Sequence, residues 1–174
     1  MINRLLLAII FTVLFLHANT KVKAQGYRQL NISDFRASQD LNRKFAAYIF
    51  WEVNYKYRFE YPSKKMEFDV QLYFLHDKSW FITDRLNDKQ ITKLLNHEQM
   101  HFAIGEMMNR AVKKTLSDFK YSENFKVEVD SLFKLTNIKY VELGDQYDRE
   151  TKHGTDTVSQ MRWDAYIKTN LDAH

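Results

Sequence analysis

The sequence is poor in residues that cross-link a chain or interrupt regular structure. Its 174 residues include no cysteine, one proline and four glycines. A chain without cysteine has no disulfide bonds, and no lipid can be attached to it through a cysteine. The stability of the fold must therefore come from packing, or from a metal ion that only the folded chain can bind.

Long hydrophobic runs are also missing. The longest follows Arg4 and covers residues 5–16, fewer than the roughly 18 apolar residues of a transmembrane helix. A basic start, a short apolar run and the small-residue site Val22-Lys23-Ala24 are typical of a secretory signal peptide. We predict a signal peptide at residues 1–24 and no stable membrane anchor after its cleavage. The alternative is an uncleaved anchor.

A large excess of one charge is absent as well. The formal net charge is +4, but residues 1–24 hold three basic and no acidic side chains, which leaves +1 for residues 25–174. A nearly neutral chain gives no reason to expect nucleic-acid binding. Residues 25–174 have room for a core of their own, and we predict that they form a single domain.

Strict alternation of apolar and polar residues predicts two long β-strands. Apolar side chains occupy the odd positions of residues 45–61 and the even positions of residues 66–74, and the alternation continues to His76. A period of two directs one face of each strand toward a core and the other toward water. Pro62 lies in the short connection between them, so we predict an antiparallel hairpin over about residues 45–76.

A long amphipathic helix is predicted after the hairpin. Asn87 is a suitable N-cap, and apolar residues then recur at steps of three and four as far as Phe119. At 3.6 residues per turn the helix has about seven to eight turns. The predicted fold is therefore α+β, with an antiparallel sheet packed against this helix and a C-terminal helical region.

Three shorter helices are predicted in the C-terminal region. They cover residues 127–135, residues 138–151 with Asn137 as the cap, and residues 156–171. The second would end near Gly154, since glycine readily takes the left-handed conformation of a helix end. The third is expected to pack through Val158, Met161, Trp163, Ile167 and Leu171.

Two of the four glycines lie inside predicted helices. A glycine in a helix costs about 1 kcal/mol relative to alanine. We therefore expect Gly105 and Gly144 to mark the place where two helices cross closely.

The segment His97-Glu98-Gln99-Met100-His101 carries the clearest chemical signal. Residues four apart on a helix share a face, so His97 and His101 can direct two imidazoles at one metal ion. Glu98 lies beside them and can act as a general base toward a water whose pKa zinc lowers to about 7. We predict a Zn²⁺ cofactor, with His97 and His101 as ligands and Glu98 as a catalytic residue.

A third protein ligand must come from elsewhere in the chain. Glu106 is about 180° around the helix from His97, so it cannot reach the same ion. His153, at a predicted helix end, is the predicted third ligand. Asp148 could either bind zinc itself or orient a ligating histidine through its other ring nitrogen. Tyr147 is predicted as a second catalytic residue, a hydrogen-bond donor to an oxyanion.

The order of these residues resembles a known family. The likeness rests on His-Glu-Gln-x-His-Phe at residues 97–102, on Tyr147, Asp148, Thr151, His153, Gly154, Gln160 and Trp163, and more loosely on residues 33–35 and 79–80. The chain resembles the domain-of-unknown-function family 922. This resemblance implies an exported bacterial protein of the cell envelope, predicted to be a zinc-dependent protease with a zincin-like fold.

The leading prediction for function is an exported zinc-dependent peptidase or related amide hydrolase, secreted or periplasmic. Its partner would be a peptide or protein substrate, or a cell-wall peptide. In such hydrolases the strand before the motif helix commonly lies along the cleft, so we expect residues 66–74 there. The alternative is a non-catalytic, metal-stabilised binding module, in which four protein ligands leave no open position on the metal.

Overall fold

The computed structural model describes residues 26–38, 44–60 and 65–173, and it confirms the predicted α+β class. A short 3₁₀ helix at Ile32–Asp34 precedes strands β1 (Ala47–Tyr48), β2 (Trp51–Glu60), β3 (Lys65–Phe74) and β4 (Trp80–Phe81), and helices α1 (Asp88–Asp118), α2 (Phe125–Thr151) and α3 (Thr157–Asp172). The predicted signal peptide lies outside the described residues. No helix in the described part of the chain combines the length and apolar character needed to cross a membrane.

Strands β2 and β3 form the predicted antiparallel hairpin. Trp51 lies opposite Phe74 at one end, and Val53 lies opposite Leu72 nearby. Val53, Leu72 and Phe74 are buried while the residues between them are more exposed. The alternation in the sequence therefore predicted both the pairing and the inward face of this sheet.

The first strand is shorter than predicted. The backbone N–H of Phe50 donates to the hydroxyl of Ser79 at 2.9 Å, and the N–H of Leu75 donates to the Phe50 carbonyl. The strand breaks at this point, and the preceding β1 pairs with β4 in a second two-stranded sheet. The alternation could not show this break, because Ser79 is far from Phe50 in the sequence.

Helix α1 has the predicted limits. The side chain of Asn87 accepts a hydrogen bond from the backbone N–H of Gln90, and the Gln90 side chain accepts one from the backbone N–H of Asn87. This reciprocal cap fixes the first turn. The helix packs against the hairpin, α2 and α3, so it lies at the centre of the fold. Its fully buried apolar residues include Phe102, Ile104, Met108, Val112 and Leu116.

The C-terminal region has two helices where three were predicted. Helix α2 runs unbroken through Asn137, which was wrongly predicted to be a cap. Thr136 donates its hydroxyl to the Leu132 carbonyl, so this polar side chain is satisfied within the helix. The helix ends in a turn where Lys152, His153 and Gly154 all have positive φ, of 50°, 53° and 78°.

The buried face of α3 also differs from the prediction. Trp163 and Ile167 are buried as expected, but Val158 and Met161 are 71% and 66% exposed. Ser159 and Gln160 take the inward positions of the first turn instead. The helix is therefore rotated toward the polar residues that surround the end of α2.

The two helix glycines do not mark a helix crossing. A Cβ at Gly105 would lie 2.9 Å from Cδ2 of Trp51, so this glycine permits α1 to approach β2. A Cβ at Gly144 would meet nothing within 4 Å. The expectation of a close α1–α2 crossing at these residues was wrong, because hydropathy does not identify the neighbour of a glycine.

The N-terminal segment is bound to α1 by one buried side chain. Gln99 accepts a hydrogen bond from the Leu30 N–H at 2.7 Å and donates to the Arg28 carbonyl at 3.1 Å. Both Gln99 and Leu30 are buried. Farther along, Phe35 packs edge-on against Phe74 at 5.5 Å between ring centroids. Gln99, a variable position of the metal motif, therefore has a structural role here.

Candidate functional site

Two histidines of α1 and one aspartate of α2 converge at a single point. The Nε2 atoms of His97 and His101 lie 3.0 Å and 2.9 Å from Oδ1 of Asp148. The two imidazoles are nearly perpendicular, with centroids 4.9 Å apart. The three potential ligand atoms all lie within 4.8 Å of one another. The helical spacing thus brings the histidines together as predicted, and α2 supplies the carboxylate.

This donor set fits zinc. Two imidazole nitrogens and one carboxylate oxygen are ligands that zinc accepts, and three protein ligands are typical of a site with one open position. The group has three members among the described residues. His97 is almost fully buried, whereas the side chains of His101 and Asp148 retain 16% and 25% exposure. The exposed side is where a water or substrate could enter.

The structure places His153 beside this group but outside it. Its Nδ1 lies 3.4 Å from Oδ1 of Asp148, its side chain is half exposed, and its ring packs against Phe45 at 4.6 Å. The geometry therefore favours Asp148 as the third ligand, the alternative that the sequence left open. The sequence favoured His153 because a histidine at a helix end can project into a cleft, but the left-handed turn formed by Lys152, His153 and Gly154 directs this side chain beside the group and not into it.

Charges within the group favour a cation between its nitrogen and oxygen atoms. Burial acts to raise the pKa of Asp148, but hydrogen bonds from His101 and His97 outweigh burial and hold that pKa well below its usual range. Burial also acts to lower the pKa of His101, but the hydrogen bond to Asp148 and the charge of Glu98 raise it above its ordinary value. Either a proton or a metal ion between these nitrogen and oxygen atoms would stabilise the ionised carboxylate of Asp148.

Glu98 lies next to the group and is buried, with 4% of its surface exposed. Burial raises the pKa of its carboxyl, against the opposing charges of His101 and His97. Ile49, just after β1, lines the same cleft, and its backbone N–H is a minor influence that lowers this pKa. The segment between β1 and β2 therefore lies beside the predicted general base, which the helix motif alone does not reveal.

Tyr147 has other partners than the predicted oxyanion. Its side chain is fully buried, and its hydroxyl donates to the His97 carbonyl at 3.2 Å and accepts from Nε2 of Gln160 at 2.6 Å. Its ring stacks on His97 with centroids 4.7 Å apart. Burial raises the pKa of this phenol well above its ordinary value. The geometry supports a structural role for Tyr147 and does not support the predicted role as oxyanion donor.

A cleft of about 990 Å³ opens on the site. One wall is formed by residues 44–54, which contain β1 and the start of β2, and the other by α2; His97, Glu98, His101 and Asp148 also line it. Strand β3 is not part of the lining, so the expectation that residues 66–74 lie along the cleft was wrong. Tyr48, Phe50 and Trp80 form an aromatic cluster at the β1 side, with Tyr48 stacked on Trp80 at 5.2 Å.

Fold and site together define an α+β protein with a candidate metal centre of two histidines and one aspartate on two helices. A family model described as "Bacterial protein of unknown function (DUF922)" matches residues 19–154. The match covers well over half of the chain, and the protein belongs to this family, as its motifs indicated. Gln160 and Trp163 lie beyond the matched residues. No curated protein and no solved structure matches the chain.

Proposed function

We propose that the protein is an exported zinc-dependent peptidase or related amide hydrolase. The observation that carries this proposal is the position of Glu98: a buried carboxylate lies next to a three-member metal group, and both line one large cleft. A purely structural zinc site has no need for a general base or for access from a cleft. Secretion or a periplasmic location follows from the predicted signal peptide, and the mass of the mature protein from its native host would test cleavage after Ala24.

The residues of the site divide the chemistry between them. His97, His101 and Asp148 would hold zinc, which when bound acts as a Lewis acid and makes a water nucleophilic at neutral pH. Glu98 takes a proton from the attacking water and later passes it to the leaving amine. Ile49, in the β1–β2 wall of the cleft, lies near the Glu98 carboxyl that makes both transfers.

An extended peptide is the substrate that best suits the cleft. Among the described residues β2 has one strand neighbour, β3, and the first half of β2 lines the cleft. An extended chain could hydrogen-bond to the opposite edge of β2 and run past Glu98. A protein, a peptide or a cell-wall peptide would offer such a segment with an amide to cleave.

Replacement of Glu98 by glutamine tests the catalytic proposal. Glu98→Gln keeps the shape of the side chain and both histidines, so zinc content should stay at wild-type level. Hydrolysis of a labelled, denatured protein should fall by about 10²- to 10⁴-fold, the usual contribution of a general acid-base group. Glu106→Gln is the matched control, because Glu106 lies on the same helix and pairs with Arg110.

Equal digestion by wild type and Glu98→Gln would contradict the proposal. Absence of hydrolysis in both, with tightly bound zinc, would favour the metal-stabilised binding module. One observation supports that second function: Nδ1 of His153 lies only 3.4 Å from the ligand oxygen of Asp148, close enough to supply a fourth ligand after a small shift. Zinc affinity of His153→Ala separates the two, since loss of a true fourth ligand should weaken binding strongly and loss of a neighbour should not.

A further inference from the structure

Three residues from α2, α3 and the turn between them enclose the imidazole of His97. Tyr147 stacks on one face of the ring, with an interplanar angle of 20°. Gly154 lies so near that an added Cβ would be 2.9 Å from Cγ of His97. Oε1 of Gln160 lies 3.1 Å from Nδ1 of the same ring. These residues, Tyr147, Gly154 and Gln160, form what we call the His97 cage.

The amide of Gln160 can adopt only one orientation in this cage. Its Nε2 lies 2.7 Å from Oδ1 of Asp164, and an ionised carboxylate only accepts hydrogen bonds. The other oxygen of Asp164 accepts from Asn96 at 2.9 Å. The Gln160 NH₂ group must therefore face Asp164, which leaves the Gln160 oxygen facing His97.

The orientation of Gln160 determines which nitrogen of His97 carries the hydrogen. An amide oxygen can only accept, so Nδ1 of His97 must donate to it. With Nδ1 protonated, the proton that Nε2 shares with Asp148 in the metal-free site is the one that a metal ion would replace, which leaves the Nε2 lone pair for the metal. Nε2 is also the atom that a ligand of zinc must present without a proton.

We propose that Gln160 is a positioning residue that fixes His97 as the Nδ1–H tautomer, and that Asp164 does so indirectly by orienting the Gln160 amide. Neither residue belongs to the metal group. The inference rests on the proposed metal site, but it assigns a role to two α3 residues that lie beyond the family match. Gln160 is buried, so water does not replace it as the acceptor.

Zinc affinity by chelator competition provides the first test. Gln160→Leu keeps the approximate size of the side chain but removes the acceptor, together with the donor to Tyr147 and Asp164, and it should weaken zinc binding by about 10- to 100-fold, as is typical when a partner of a ligating histidine is lost. The double substitution Gln160→Glu with Asp164→Asn exchanges acceptor and donor at unchanged net charge. Its carboxylate can accept from both the imidazole and the new amide, so affinity should return to near the wild-type value. Asp172→Asn, on the exposed end of α3, is the charge control.

Nitrogen-15 NMR of the histidine rings in the zinc-loaded wild type provides the second test and needs no variant. The proposal requires a protonated Nδ1 and a metal-bound Nε2 in His97.

Three results would each overturn the proposal: wild-type zinc affinity in Gln160→Leu, failure of the double substitution to restore zinc binding, or a protonated Nε2 of His97 in the zinc-loaded wild type. A wild type that binds zinc but hydrolyses nothing would contradict the enzymatic proposal alone. A wild type that binds no zinc would overturn both.

Discussion

Gly154 combines a left-handed backbone with direct contact to His97, a candidate metal ligand. Its φ is 78°, and a Cβ there would lie within about 3 Å of both Cγ and Cβ of His97. Both features disfavour any side chain, because a non-glycine residue at positive φ costs on the order of 1 kcal/mol before the collision with the ring is counted. Gly154 therefore lets the turn after α2 close on the imidazole.

Gly154→Ala should both destabilise the protein and disturb zinc binding. We expect a loss of about 1 to 3 kcal/mol in the free energy of unfolding, from backbone strain and overpacking, with weaker zinc affinity. Gly144→Ala is the control, because a Cβ there meets nothing within 4 Å and the helix interior should gain up to about 1 kcal/mol. Urea unfolding and chelator competition measure both quantities. Unchanged zinc affinity in Gly154→Ala would show that the turn does not hold the imidazole.

Asp34 connects the N-terminal segment to the pH dependence of stability. Arg28 donates to both of its carboxylate oxygens, at 2.8 Å and 2.6 Å, and the Asn31 N–H donates at 2.9 Å. Burial acts to raise the pKa of Asp34, but these bonds and the charges of Arg28 and His76 outweigh it and lower the pKa below its ordinary value. In the unfolded chain an aspartate has a pKa of about 3.9.

The ionised Asp34 carboxylate stabilises the folded protein, and protonation removes this contribution. Because the pKa of Asp34 is lower in the folded protein, its contribution to stability is complete above about pH 4 and is lost as the pH falls through the folded value. Asp34→Asn should cost about 1 to 3 kcal/mol at pH 7 and should reduce the loss of stability on acidification. Urea unfolding between pH 3 and pH 7 measures this, with the exposed Asp77→Asn as control. If Asp34→Asn lost as much stability between pH 7 and pH 3 as the wild type, Asp34 would not be a source of the pH dependence.

At the scale of elements, α1 holds the N-terminal segment through Gln99. The amide oxygen of Gln99 is the acceptor for the buried N–H of Leu30. Gln99→Leu should leave that N–H without an acceptor, at a cost of about 1 to 3 kcal/mol. Hydrogen exchange at Leu30 should accelerate, while exchange in the middle of α1 should change little. Gln146→Leu, at an exposed position of α2, is the control. Equal protection of Leu30 in wild type and Gln99→Leu would contradict this role.

The elements that the sequence predicted well depend on local periodicity. The alternation around Val53 and Leu72 determined the face of the hairpin, and the cap at Asn87 with its apolar stripe determined α1. The elements that were predicted wrongly depend on distant contacts. The break at Phe50 requires Ser79, and the inward turn of Gln160 requires His97 and Tyr147. No pattern within one segment contains this information.

In the candidate site, too, some residues follow from a local sequence pattern and others from contacts between distant segments. His97, Glu98 and His101 follow from the spacing on one helix. The choice between Asp148 and His153 depends on where the end of α2 lies against α1: Asp148 is still helical and faces the two histidines, whereas His153 lies in the following turn of three residues with positive φ. Tyr147 and Gln160 were visible as motif residues, but their roles became clear only when α2 and α3 were placed against α1.

For the whole molecule, α1 links the two halves of the structure. One side of α1 packs on the hairpin, and the other sides pack on α2 and α3. The cleft lies between α2 and the wall formed by residues 44–54. The candidate metal group, the proposed general base and the strand beside the cleft therefore come from three separate stretches of sequence. The fold must be complete before these side chains come together.

This separation along the chain has a kinetic consequence. His101 and Asp148 are 47 residues apart, so a metal ion bound between them would close a long loop, much as a cross-link does. Such a closure forms after the helices have docked, and interactions absent from the folding transition state act mainly on the unfolding rate. In stopped-flow experiments, saturating zinc should slow unfolding by at least about tenfold relative to the chelated protein and leave refolding nearly unchanged. Asp148→Ala should lose the difference. If zinc instead accelerated refolding, the α1–α2 pair would already be assembled when the chain crosses its folding barrier, and the metal would help to build the fold that later uses it.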